Sequence, residues 1–248
     1  MMSGNRYPLK VEVFPDYAAL SQRAAEIVIG LLKEKPDAVL GLPTGSTPVG
    51  FYDALVASGV SLARARTFNL DEYLGLPRTH PESYYSFMKR MLYDRTDLRP
   101  ENCHIPDGTA ADPEAECRRY EEAIRAAGGL DILILGVGHN GHIGFNEPGA
   151  PWDGRTRIVE LAERTRQANA RFFNNNIDEV PRRAITMGIG TILEARRLLL
   201  LANGAGKAPI VQRLVEGEPT PEVPASVLHY HPDATVLLDT EAASLLRR

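Results

Sequence analysis

The chain has 248 residues, a net charge of -4 and a 44% hydrophobic composition, enough for one large core or a core with a small cap. So mild a charge argues against a nucleic acid partner, whose backbone calls for a basic surface. MMSGNRYPLK lacks the apolar centre of a secretion signal, and no apolar run approaches the roughly 20 residues that span a bilayer, so a cytoplasmic protein without a membrane partner is expected.

In chain order, a first helix is expected over about residues 16–33. AVLGL at 38–42 reads as a short strand, followed by the loop PTGSTP and a helical pattern, VGFYDALVAS, at 49–58. RTFNL at 66–70 is a second such run and passes directly into DEY. ADPEAECRRYEEAIRAAGG at 111–129 is helical and stops at a double glycine, a C-terminal signal. DILILG at 131–136 follows, continuously apolar as a strand buried on both faces should be. AITMGIG at 184–190 leads to the short helix candidate TILEA, and RRLLLLAN at 196–203 to a helix in GAGKAPIVQRLVEG. ATVLLD at 234–239 leads to a closing helix, TEAASLLRR.

Strands alternating with helices predict an α/β fold, with an open, mostly parallel sheet and helices on both faces. No repeat, linker or low-complexity tract divides the chain, so 1–248 is expected to form a single domain. The alternation does not encode the strand order. Cys103 and Cys117, the only cysteines, stand outside any short redox or zinc spacing and are expected to be reduced thiols.

Sites in open α/β sheets lie outside the carboxyl ends of the strands. That rule singles out PTGST, Asp71–Glu72, GHNGHIGFNE and Asn203–Lys207, with Asp239 a fifth candidate. In GLPTGSTP at 41–48, backbone N–H groups around Gly45, the hydroxyls of Thr44, Ser46 and Thr47 and a helix N-terminus make an anion cradle. No GK[ST] closes it, so a small phosphorylated metabolite fits better than a nucleotide. The plainer reading is an N-cap with proline in the first turn. Lys207 stands at the start of a helix, where the dipole has the wrong sign for a lysine, and a bound anion accounts for its placement. Arg171, in ANARFFNNN, is a second candidate cation. Asp71 and Glu72 are neighbours in an extended segment, so they face opposite ways and only one is expected to reach the pocket.

GVGHNGHIGFNEP at 136–148 admits three readings. Gly136, Gly138 and Gly141 spell G-x-G-x-x-G after a strand, with Glu160 further on, but FNEPGAPWDG cannot supply the helix that a dinucleotide fingerprint requires. A Rossmann-like sheet that binds no dinucleotide and needs no cofactor is therefore expected. His139, His142 and Glu147 have metal-ligating side chains, yet HExxH and matching cysteine or carboxylate spacings are missing, and no metal is expected. The third reading is acid–base catalysis, in which His142 passes protons near neutral pH while Glu147 holds the ring's other nitrogen. His139 either takes part or decorates a turn. A carboxylate beside a bound sugar phosphate adds the means for an aldose–ketose rearrangement, with His142 working on the ring oxygen.

The motifs LGLPTGSTP, TFNLDEYLGLP, GVGHNGHIGFNEPG, TRQANARFFN, ITMGIGTILEAR and SVLHYHPD, in this order over essentially the whole chain, resemble those of the glucosamine-6-phosphate deaminase family. The resemblance implies conversion of glucosamine 6-phosphate and water to fructose 6-phosphate and ammonia, a step of N-acetylglucosamine catabolism, without an added cofactor. It implies Asp71 as the base that carries a proton from C2 to C1 through an enolamine. It implies His142 as the group that opens the pyranose ring, supported by Glu147, with Asn140 in the catalytic set where some members have Asp. Pro43, Thr44, Gly45 and Ser46, with Arg171 and Lys207, would hold the phosphate. Ring opening exposes an aldehyde that acidifies the C2 proton, so a carboxylate of ordinary strength is expected to suffice.

Hexameric members under allosteric control by N-acetylglucosamine 6-phosphate carry a lysine two positions after the arginine of TRI. Val159 stands there in this chain, and a monomer or small homo-oligomer is expected. 6-Phosphogluconolactonases carry a similar GHI loop without the FNEP of 145–148, and a non-catalytic sugar-phosphate sensor would have no use for both Asp71 and His142. A mobile lid is a candidate within 145–175, with Trp152 either reporting its movement or covering apolar surface.

Overall fold

Leu133 and Leu135 pack into one hydrophobic cluster and Ile132 and Ile134 into another, and all four are fully buried. This is the period-two alternation of a strand covered on both faces. Leu198 and Leu200 against Leu199 and Leu201 repeat it. The computed structural model describes residues 5–247.

The elements run β1 (Lys10–Phe14), α1 (Tyr17–Glu34), β2 (Val39–Leu42), α2 (Val49–Ala57), β3 (Arg66–Asn69), β4 (Asp71–Tyr73), α3 (Tyr84–Met91) and β5 (Cys103–His104). There follow α4 (Pro113–Ala126), β6 (Ile132–Gly136), β7 (Arg157–Glu160), α5 (Glu163–Asn169), β8 (Arg183–Thr186), α6 (Ile189–Leu193), β9 (Leu198–Ala202), α7 (Ala208–Glu216) and β10 (Ala234–Asp239). Seven strands form one parallel sheet in the order β1-β10-β9-β6-β2-β3-β5. Apolar residues of α1, α2 and α3 cover one face, and those of α4, α6 and α7 the other. The predicted α/β architecture with helices on both faces is the observed one.

Local chemistry sets the helix ends. Asp16 caps α1 by accepting from the Ala19 N–H at 2.8 Å, and Asp112 caps α4 through Ala115 at 3.0 Å, with Pro113 in the first turn. The double glycine stops α4 as expected, since Gly128 and Gly129 have φ of 91° and 80°.

Three features depart from the sequence reading. β4, β8 and β7 form a separate antiparallel sheet, so AITMGIG contributes its strand there and not to the main sheet. The chain changes sheets between Asn69 and Asp71, which fixes Asp71 just beyond the carboxyl end of β3. TEAASLLRR forms no helix over its described residues. The Asp239 side chain accepts from the Ala242 N–H at 2.7 Å and its carbonyl from the Ala243 N–H at 3.0 Å, but the bonds from Ser244 to Glu241 and from Leu246 to Ala243 span only three residues, so the first turn is not propagated into a helix. β1, α3, β5 and α5 were not anticipated.

Candidate active site

β2 and β6 are neighbours at the place where the strand order reverses. β3 and β5 continue to one side, and β9, β10 and β1 to the other. The loops after β2 and β6 therefore part and leave a crevice. It is a cavity of about 490 Å³ lined by Pro43–Val49, Asp71, Tyr73, Gly136–His139, His142, Arg171–Phe173 and Lys207, among others. Three of the four leading candidate loops, with Lys207 from the fourth, thus meet in one cavity. Glu72, Asp239 and Asn203 do not line it.

At one end the loop after β2 turns through Gly45, whose φ of 104° is costly for any other residue. The Tyr52 hydroxyl donates to the Pro43 carbonyl at 2.6 Å, and the Tyr17 hydroxyl donates to the Thr47 carbonyl at 2.8 Å while accepting from the Gly50 N–H. The backbone N–H groups of Gly45, Ser46 and Thr47 meet no acceptor among the described residues. Two cations face the same space. Lys207 Nζ donates to the Val137 carbonyl at 2.7 Å, and the Arg171 guanidinium lies over the Phe172 ring at 4.6 Å. Burial, and then the charge of Arg171, lower the Lys207 pKa. An anion between the two would relieve both effects.

Asp71 is 7% exposed and none of the hydrogen bonds among the described residues ends on its carboxyl group. Burial first, and the charge of Glu72 second, push its pKa up to about 8. This differs from the carboxylate of ordinary strength expected from sequence, because no donor offsets the loss of water. Glu72 points the other way, as the strand's alternation requires. It accepts from the N–H groups of Tyr73, Tyr84 and Tyr85 at 2.9, 3.0 and 3.0 Å, anchoring the start of α3 to β4. Burial raises its pKa to about 7 in spite of these donors.

His142 sits over Gly138, where an added Cβ would lie 2.1 Å from the imidazole Cε1, so the ring's seat requires glycine. Its Nδ1 lies 2.7 Å from Asn140 Oδ1, which also accepts from the His142 backbone N–H at 3.2 Å. The Asn140 amide nitrogen donates to Glu147 Oε2 at 2.6 Å. Two donors on the carbonyl side and a carboxylate on the amide side leave one orientation for Asn140. That orientation assigns the imidazole proton to Nδ1 and leaves Nε2 with its lone pair. The direct contact expected between Glu147 and the ring is replaced: Glu147 Oε2 stands 3.7 Å from Nδ1, and Asn140 mediates between them. Burial lowers the His142 pKa, opposed by Glu147 and reinforced by Lys207 and His139, so the neutral ring predominates near pH 7.

Several lining residues carried no sequence signal. Tyr73, Tyr84, Phe145 and Phe173 form an aromatic wall, and Asn169 of α5 donates to the Tyr73 hydroxyl at 2.9 Å. Thr165, also in α5, donates to Glu147 Oε1 at 2.5 Å. Buried Asn146 fixes the central loop from below. Its amide donates to the carbonyls of Ile143 and Met187 at 2.9 and 2.8 Å and accepts from Arg157 at 2.7 Å. Nothing in the string FNEP distinguished this asparagine from an ordinary turn residue.

His139 lines the cavity with Nδ1 at 3.1 Å from the Gly206 carbonyl. Among the described residues no three His, Cys, Asp or Glu side chains converge as metal ligands, and no helix is long and apolar enough to cross a membrane. Trp152 packs against the apolar core, with its ring 5.6 Å from that of Tyr230.

Residues 16–237 match the family model described as glucosamine-6-phosphate isomerases/6-phosphogluconolactonase. A glucosamine-6-phosphate deaminase of Geobacillus sp. (strain WCH70) is 53% identical over 235 residues, which cover 93% of each chain. Glucosamine-6-phosphate deaminase 1 of Bacillus subtilis (strain 168) is 51% identical over 241 residues, 96% of this chain and 99% of its own. Among solved structures, that of a monomeric glucosamine-6-phosphate deaminase is 51% identical and aligns with a TM-score of 0.93 over 96% of this chain and 100% of that one. The 6-phosphogluconolactonase from Trypanosoma cruzi, at 20% identity, aligns with a TM-score of 0.79 over 99% and 100% of the two chains, a likeness of fold alone. With the family model matched over most of the chain and relatives this similar almost end to end, the chain belongs to the glucosamine-6-phosphate isomerase/6-phosphogluconolactonase family.

Proposed function

We propose that this chain is a glucosamine-6-phosphate deaminase, converting glucosamine 6-phosphate and water to fructose 6-phosphate and ammonia. One observation carries the choice within the family: Asp71, a buried carboxyl with no donor on it among the described residues, shares the cavity with His142 and the paired cations Arg171 and Lys207. Isomerisation needs a base that takes a proton from carbon, which this carboxyl can supply, whereas hydrolysis of a lactone takes none. The relatives at 53% and 51% identity, named as deaminases, support the same choice.

The N–H groups of Gly45, Ser46 and Thr47, with Pro43 and Thr44 shaping their loop, receive the phosphate together with Lys207 and Arg171. His142 Nε2 takes the O1 proton and passes it to the ring oxygen, which opens the pyranose. Asn140 and Glu147 hold the imidazole in the tautomer this transfer needs. Asp71 then removes the C2 proton while O1 takes up a proton from the C2 ammonium, which gives the enolamine; return of the C2 proton from Asp71 to C1 leaves a protonated imine at C2. Water adds to C2 and ammonia leaves, so the net step is hydrolytic. Phosphate clamping contributes orientation. The protein stripped of metal is expected to release ammonia and fructose 6-phosphate one for one from glucosamine 6-phosphate; release of neither would overturn the assignment.

The acidic limb of kcat/KM reports the base in the free enzyme. Asp71 must be ionised to act, and its pKa is raised to about 8. Below that pH, kcat/KM is therefore expected to fall by up to about tenfold per pH unit, whereas an ordinary carboxylate would leave it flat from about pH 5. A pH profile of kcat/KM with no loss between pH 8 and 6 would contradict the environment described for Asp71.

The segment from α5 through Phe173 is proposed as the movable wall of the pocket, since it carries Arg171 and exposes Phe172 by 43%. A phosphorylated sugar does not cross a membrane unaided, and both cysteines are free thiols, which supports a cytoplasmic location. A substrate with a free amine on C2 must be supplied by a reaction such as deacetylation, which fits N-acetylglucosamine catabolism. Val159 and the likeness to a monomeric relative favour a monomer or small homo-oligomer.

A further inference from the structure

Glu147 is 23% exposed in its side chain, enough freedom for a carboxylate to turn unless both oxygens are held. Oε2 is held by Asn140 at 2.6 Å, within the central loop itself. Oε1 is held at 2.5 Å from outside that loop, by the hydroxyl of Thr165. Thr165 is 8% exposed and lies in α5, the helix that leads directly into the turn Ala170–Phe172 bearing Arg171. The same helix is tied to the strand of Asp71 by the bond from Asn169 to Tyr73. One seven-residue helix thus contacts the carboxylate behind the ring-opening group and the base strand, and leads into the turn that carries the phosphate clamp.

We propose that Thr165 is a positioning residue for ring opening, whose hydroxyl passes the seating of the Arg171 segment to His142 through Glu147 and Asn140. The proposal rests on the deaminase reading of the site. Its chain of contacts is directional. Thr165 can only donate to Glu147, Glu147 can only accept from Asn140, and Asn140 can then only accept from Nδ1. Each link fixes the next rotamer, so the proton stays on Nδ1 and Nε2 stays ready for the O1 proton. Phosphate bound to Arg171 adds a further hold on the segment that follows α5, and so on a chain of contacts already made in the empty pocket. Without the hydroxyl, Glu147 keeps one partner, and the Asn140 amide is free to rotate with it.

The test compares Thr165→Val with Thr165→Ser, using glucosamine 6-phosphate carrying hydrogen or deuterium at C2. Valine keeps the shape of threonine without the hydroxyl, and serine keeps the hydroxyl. Thr165→Val is expected to lower kcat by about 10- to 100-fold, the scale of a misplaced reacting group, with KM changed much less. Because ring opening then limits turnover, its deuterium isotope effect on kcat should not exceed the parent's and should fall toward one. Thr165→Ser should restore most of the rate. A valine variant as fast as the parent would overturn the proposal. So would a slow one whose isotope effect grows, since the damage would then lie at the C2 step, or a slow one that serine fails to rescue. A parent protein inactive on this substrate would instead sink the deaminase reading, and the proposal with it.

Discussion

Asp71→Asn is expected to lower kcat by about 10³-fold or more, near the upper range for loss of a general base, and at the same time to raise the melting temperature at neutral pH. Both effects come from one feature. The carboxyl is buried without a donor, which makes it a strong base and an expensive charge. Its folded-state pKa of about 8 lies above the ordinary value of 3.8. The unfolded chain therefore loses this proton first, and stability falls as pH rises from about 4 to about 8. At pH 7 the cost reaches on the order of 4 kcal/mol as an upper bound, because each pH unit above the ordinary pKa adds about 1.4 kcal/mol. Asparagine escapes that cost but buries an amide with few partners, so a net gain of about 2 kcal/mol, or several degrees, is the expected result. The gap in melting temperature should be small at pH 4, widen up to about pH 8 and then stay level. A variant that is inactive and also less stable at pH 8 would show that the carboxyl is not an unsatisfied buried charge and that donors hold it.

His142→Gln is expected to lower kcat by about 10²- to 10³-fold, with KM little changed. Glutamine fills much of the space over Gly138 and can still bond to Asn140, but it cannot relay a proton from O1 to the ring oxygen. The slow step then becomes ring opening, and the isotope effect of deuterium at C2 should fall toward one. An undiminished rate would move the ring-opening role to His139, the other histidine lining the cavity. A slow variant with an enlarged isotope effect would place His142 at the C2 step instead.

Much of the fold was legible because buried parallel strands leave a plain mark. DILILG and LLLLA have no polar face to hide, and the first ends in a glycine that lines the site. The loops after them were legible for the same reason, since polar residues beyond a buried strand have few structural uses. The antiparallel sheet left no such mark. β4 is only three residues long, and its one paired strand, β8, begins as far along the chain as Arg183, so pairing was invisible in any local window. TEAASLLRR shows the reverse error: a helical composition whose first turn, capped by Asp239, is not propagated.

Within the site, side chains that face the cavity from strand ends, such as Asp71, His142 and Lys207, were readable from position. Those that act through another group were not. Glu147 was expected on the ring and stands behind Asn140, because a two-residue offset between Asn140 and His142 lets the amide reach Nδ1 first. Thr165 was unreadable altogether. A threonine in a short polar helix has no signature until the fold brings a carboxylate to its hydroxyl.

The most direct test offers the purified, metal-stripped protein glucosamine 6-phosphate and 6-phosphogluconolactone side by side. Ammonia and fructose 6-phosphate in equal amounts from the first, with the second left at its spontaneous rate of hydrolysis, is the expected result. Rapid hydrolysis of the lactone with no ammonia from the amino sugar would contradict it.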